Sequence, residues 1–191
     1  MSKSDFASTI ISKLDSSIGK DGSSYTEGSV TSAMKAVAEG ITDYLIANTE
    51  VKISYTGIIA STPPVPDPVV SDTFKITGKC APTGASDSFD SWIKQIESNI
   101  IAGFMLDKQG TNGVVFATKP FMISGISLTQ SVLKAAHDIQ DEEPQHKVWE
   151  IVCGGIMDWL NGAAMNTIPG TATRPSANSA GTASIVKITV S

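Results

Sequence analysis

The hydrophobic period of this chain changes near residue 50, and that change restricts the fold more than any other feature. Before it, apolar residues recur at helical spacing. Phe6, Ile10, Ile11, Leu14 and Ile18 form one stripe over residues 4–18, and Val30, Met34, Val37, Ile41 and Leu45 form another. Gly19 ends the first predicted helix, Lys20–Ser24 reads as a loop, Thr26 and Glu27 cap the second helix, and Asn48 terminates it. After the change, Val51, Ile53 and Tyr55 alternate with Lys52, Ser54 and Thr56, the pattern of a half-buried strand. Asp72–Lys79 repeats the alternation through Thr73, Phe74, Lys75, Ile76 and Thr77. Helices followed by alternating strands predict an α+β domain whose sheet is mostly antiparallel.

The rest of the chain extends this pattern. A third helix is predicted over Asp87–Leu106, with Phe89, Ile93, Ile96, Ile100 and Phe104 on one stripe and Asp87 or Ser86 as its cap. Val114–Ala117 and Phe121–Ser124 read as strand segments interrupted at Pro120, which suits an edge or a bend. Leu128–Ile139 is a fourth helix and Pro144–Ala164 a fifth. In the fifth, Val148, Trp149, Ile151, Val152, Ile156, Met157, Trp159 and Leu160 cover most of the circumference. Such a helix is either the central core helix or one with a face left for a partner. Gly154 and Gly155 inside it suit close helix packing rather than phosphate binding. The expectation is a single domain over residues 1–191, with about four to six strands packed against about five helices.

Two segments carry neither period. Thr62–Pro68 holds four prolines and reads as an extended, exposed connector within a projecting segment, 61–71. Pro169–Ala183 is small, polar and aperiodic, and reads as a flexible loop within a second projecting segment, 168–183. It leads into Ser184–Val190, where Val186, Ile188 and Val190 alternate with Lys187 and Thr189. A long loop of this kind suits contact with a neighbouring subunit. The candidate subunit-interface residues are therefore Pro63, Pro64, Pro66, Pro68, Pro169, Arg174, Pro175, Val186, Ile188 and Val190. Pro169–Ala183 is expected to be mobile in the lone chain, so that deleting 170–182 would leave the domain folded.

Charge narrows the partners. The chain has 14 basic and 19 acidic side chains, a net charge of −5, and Arg174 is its sole arginine. The clustered cations on which nucleic-acid recognition and anionic membranes rely are missing from this sequence. Charged residues make up 17%, below the usual quarter or so, and 24 Ser and 18 Thr take their place. A hydroxyl-rich surface can be laid against another protein without stripping water from many charges, or it is simply a polar, loop-rich surface. The N-terminal MSKSDFASTIISKL has no long apolar run, so neither a signal peptide nor a membrane span is expected, and assembly in the cytoplasm is. Cys80 and Cys153 are expected to be buried thiols rather than a disulfide.

The cluster that comes nearest to chemistry runs from His137 to His146, with Asp138, Asp141, Glu142 and Glu143 between them. Mixed histidine and carboxylate sets hold zinc or iron. Here the histidines stand nine positions apart across a helix break, matching neither an i, i+4 pair nor HExxH. A solvated interhelical turn fits better. GxGxxG, GxxxxGK[ST], GxSxG and CxxC do not occur, and no catalytic residue, cofactor, metal or small-molecule substrate is expected. Two alternatives remain: a small metal-dependent enzyme using His137, Asp141, Glu142 and His146, or a cytoplasmic adaptor binding a peptide along an edge near Pro120.

The hydroxyl- and alanine-rich composition, the single arginine and the two leading helices form a recognisable pattern. So do the Pro-rich arm at Thr62–Pro68 and the Thr/Ala/Ser-rich stretch Pro169–Ala183 before a C-terminal strand. In these features, which cover most of the chain, it resembles the structural proteins of tailed bacteriophage particles. The resemblance lies in organisation and not in a motif. It implies a virion protein of the neck, tail-terminator, tail or capsid-decorating kind, assembled in the host cytoplasm. It further implies a homo-oligomeric ring or lattice with other virion proteins as partners, and it carries over no catalytic residues.

Overall fold

The computed structural model describes residues 2–18, 27–117, 125–136, 145–163 and 166–191. They form an α+β fold of five helices and a seven-stranded sheet. The helices are α1 (Lys3–Ile18), α2 (Glu27–Asn48), α3 (Phe89–Gly103), α4 (Leu128–Ala136) and α5 (Gln145–Asn161). The strands are β1 (Thr49–Ile59), β2 (Val65–Pro66), β3 (Ser71–Gly78), β4 (Phe104–Leu106), β5 (Val115–Phe116), β6 (Asn166–Arg174) and β7 (Ser179–Val190). The Lys20–Ser24 loop, the Thr26 cap, the break at Pro120, the Phe121–Ser124 strand and the end of the fourth helix lie outside the described residues.

All strand pairs are antiparallel, in the order β4-β3-β1-β7-β6-β5, with β2 pairing the end of β1. β1 is the hub. Its strict alternation buries Val51, Ile53 and Tyr55 and exposes Glu50, Lys52, Ser54 and Thr56. The apolar face meets Phe74 and Ile76 of β3, Ile185, Ile188 and Val190 of β7, and the apolar stripes of the helices in one core. The stripes lie largely as the period predicts: Phe6 and Ile10 in α1, Ile41 and Leu45 in α2, and Ile93, Ile96 and Ile100 in α3 are buried, whereas Val30 and Phe89, at the starts of the second and third stripes, are exposed.

Small residues set the helix spacings. A Cβ on Gly40 of α2 would stand 2.9 Å from the Ile10 Cα, and beside this crossing the rings of Phe6 and Tyr44 stack with centroids 4.1 Å apart. A Cβ on Gly155 of α5 would stand 2.5 Å from Cγ2 and 3.0 Å from Cα of Val132, so α4 and α5 approach closely there. α5 packs against α1, α4 and β7, and buries Val152, Cys153, Ile156, Trp159 and Leu160 while Val148 and Asp158 remain exposed.

The sheet curls until its outer strands meet. The segment 107–114 runs from β4 to β5, bridged by Gln109 and Val115, with Gly110 N–H donating to Val114 O at 2.9 Å. Asp72 organises this turn from the buried face. Its carboxylate accepts from the N–H groups of Thr73 (2.7 Å), Asn112 (2.7 Å) and Val114 (2.9 Å), and from the Thr111 hydroxyl (2.9 Å).

Three expectations are corrected. The third helix starts at Phe89 behind Ser88, whose Oγ accepts from Ser91 N–H, and it stops at Gly103 rather than Leu106. The cause is a close backbone approach: Gly103 O accepts from Lys79 N–H at 3.0 Å, and a Cβ on Gly103 would stand 2.0 Å from Lys79 O. Phe104–Leu106 then pairs with β3, and its buried Phe104 and Leu106 satisfy either period.

The stretch 168–183 is not a loop. It forms most of the β6–β7 hairpin, whose turn is a 3-10 segment Pro175–Ala177 followed by Asn178 in the left-handed region at φ 48°. Its aperiodic look comes from crowding, since a Cβ on Gly181 would stand 1.8 Å from Thr56 O, and Ala172 and Ala183 are buried. The register shifts between Ile168 and Ala172, the stretch that contains Pro169.

The third correction concerns β7, where the predicted alternation holds from Lys187 to Val190 but breaks at Val186, which is exposed instead of buried. Lys52 faces Lys187 while Ile53 faces Ile185, so a bulge at Val186 lets both Ile185 and Ile188 point inward. Ile188 and Val190 therefore belong to this chain's own core and are not interface residues.

Candidate interaction surface

The Pro-rich segment folds back instead of projecting. Ile58 pairs with Pro66 and Ile59 with Val65, and Asp67 N–H donates to Gly57 O at 2.9 Å. This return places the Asp67 carboxylate inside, where Val69 N–H reaches it at 3.0 Å. From the far end of β6, Arg174 closes on it through a two-point contact, Nε donating to Oδ2 at 2.9 Å and the terminal NH2 to Oδ1. The Asp67 side chain is wholly buried and that of Arg174 is 14% exposed, so the pair is shielded from water. The guanidinium holds the Asp67 carboxyl well below the usual carboxylate range, and the carboxylate raises the pKa of Arg174 in return. Alongside, the hydroxyls of Tyr55 and Ser179 lie 2.8 Å apart. The Tyr55 ring crosses Gly57, where a Cβ would stand 2.2 Å from the phenol oxygen.

The two segments predicted to reach outward separately are thus locked together at one end of the sheet. Pro63, Pro64, Pro66, Pro68 and Pro175 are exposed around this tip. Ile58, Val65 and Val70 are 58%, 43% and 66% exposed there. From the tip, the solvent face of the sheet continues through Ser54, Thr56 and Thr182 to Lys52, Val186 and Lys187. Asp67 was the residue that sequence reasoning missed. Its signal was a lone carboxylate inside a proline run, in a chain with one arginine to meet it.

Of the His137–His146 cluster, His137, Asp138, Asp141, Glu142 and Glu143 lie outside the described residues. His146 is exposed at the start of α5, with Nε2 3.4 Å from Ser8 Oγ and Nδ1 3.5 Å from Glu150. It borders an open depression of about 400 Å³ lined by Ser8, Ile11, Ser12, Asp15 and Ser16. Among the described residues no three His, Cys, Asp or Glu side chains are grouped to hold a metal ion, and no helix is long and apolar enough to cross a membrane. Cys80 and Cys153 are buried free thiols. Burial pushes the Cys80 thiol up to about 12 and raises that of Cys153 as well, which disfavours the nucleophilic thiolate.

Compared with known protein families, with curated proteins and with solved structures, the chain finds no match.

Proposed function

We propose that the chain is a non-enzymatic structural subunit of a phage particle, of the neck, tail or capsid-associated kind. It assembles with copies of itself and with neighbouring virion proteins, and its place is the virion. The observation that carries this reading is the convergence of both candidate contact segments on one exposed, proline-lined apolar tip, fixed from within by Asp67 and Arg174. A surface already ordered before contact loses little conformational freedom on docking, and prolines lose least. The hydroxyl-rich sheet face beside it adds area whose desolvation costs less than that of charges.

The test is incorporation. A tagged wild-type chain expressed while particles assemble should purify with them at fixed stoichiometry by quantitative mass spectrometry. Ile58→Asp/Val65→Asp should be lost from particles while its melting temperature stays at the parent value. A wild-type chain absent from particles, or a tip variant retained as well as wild type, sinks the proposal.

A further inference from the structure

The solvent face of β1 and β7 carries an uncompensated charge. Lys52 stands directly opposite Lys187, and both are exposed. Like charges facing one another on neighbouring strands repel. The nearby carboxylate of Glu50 is taken by Lys75 at 3.0 Å, so neither Lys52 nor Lys187 has an anionic partner among the described residues. The bulge concentrates the effect, because it turns Val186, 40% exposed, and Lys187 outward together. Two facing lysines thus stand beside an exposed apolar side chain. Such a surface is complementary to two carboxylates flanking another apolar side chain.

The chain itself carries that counterpart. At the start of α3, Asp87 and Asp90 flank Phe89; all three are exposed, and Phe89 is 44% exposed. The carboxylates of Glu39, Asp43, Asp67 and Glu150 already hold a lysine, an arginine or a histidine. Asp87 and Asp90 have no cationic partner among the described residues. The two patches belong to different elements, the sheet face and a helix start, so each subunit would present two unlike and complementary surfaces. That is the requirement for a head-to-tail ring or filament.

We infer that the Lys52–Val186–Lys187 face of one copy docks the Asp87–Phe89–Asp90 end of a second copy. This deepens the assignment as an assembling subunit and rests on it. The contact is electrostatic at its edges and apolar at its centre, so it weakens as salt rises to about 1 M, where screening acts within about 3 Å.

Charge reversal and complementation test it by sedimentation equilibrium on the full chain. Wild type should self-associate at low salt and less so at high salt. Lys52→Glu/Lys187→Glu and Asp87→Lys/Asp90→Lys should each lose at least about 10-fold in association constant when alone, because each then opposes like charges. An equimolar mixture of the two should recover association, since the acidic face of one variant now meets the basic helix start of the other. Unchanged melting temperatures show that each variant is folded; should a reversal prevent folding, Lys52→Gln/Lys187→Gln replaces it, with a smaller weakening expected because it removes the attraction without adding repulsion. A strictly monomeric wild type, variants that associate like wild type, or a mixture that fails to recover would overturn the docking. Co-purification with particles without any self-association overturns this contact alone. Salt-sensitive self-association by a chain missing from particles overturns the virion assignment alone.

Discussion

Asp67 and Asp72 are both buried, at 5% and 1% exposure, and burying a carboxylate without partners is strongly unfavourable. The fold meets that cost in two ways: Asp67 takes a guanidinium across two hairpins, while Asp72 takes three N–H groups and a hydroxyl from its own neighbourhood and the 107–114 turn. A pH dependence follows for Asp67. Arg174 lowers its folded-state pKa below the unfolded value of about 3.9. The stabilisation is therefore fully present above that value and is lost as pH falls through it toward the folded-state pKa. The difference in melting temperature between wild type and Asp67→Asn should be constant from about pH 7 to about pH 5 and shrink below about pH 4. An equal difference at pH 3 and pH 7 would show that ionisation of Asp67 plays no part in stability.

Elements here are positioned by where side chains are missing. Gly155 lets α5 approach Val132 of α4, Gly40 lets α2 approach Ile10, and Gly181 lets β7 lie against Thr56. Gly155→Ala puts a carbon 3.0 Å from a backbone atom of Val132, so the helices must separate as well as repack. The expected loss is about 1–3 kcal/mol in urea unfolding. Val132→Ala in the same chain removes the other close contact and should recover part of it. Strict additivity of the two single changes would show that the contact does not limit the packing. The bulge in β7 works at the same scale: one extra residue keeps Ile185 and Ile188 in the core and sends Val186 and Lys187 to the surface.

For the whole molecule the β6–β7 hairpin is structural. β7 lies between β1 and β6 along most of its length, and β6 carries Arg174 to Asp67. Deleting 170–182 removes the hairpin turn, three of the six β6–β7 residue pairs, the pairing of β6 with β5 and the buried ion pair together. The lone chain should then lose its cooperative thermal unfolding by circular dichroism. This reverses the expectation from composition, under which the domain would stay folded. A cooperative melt close to that of wild type would show that the hairpin is dispensable.

The period of apolar residues determined the fold class. Five helices, the alternation of β1 and β3 and the antiparallel sense of the sheet follow from spacings of 3.6 and 2, because those spacings decide which side chains can be buried together. The buried cysteines were legible from the small apolar character of a reduced thiol, and the glycine contact from the position of Gly155 inside an apolar helix. The tertiary structure decided what periodicity cannot encode. Whether 168–183 became loop or hairpin depended on backbones approaching so closely that glycine and alanine were required, and such residues carry no hydrophobic signal. The candidate surface was legible in half. The proline run and Arg174 stood out as residues, but their meeting through Asp67 spans 107 positions and exists only because β1 and β7 pair between them.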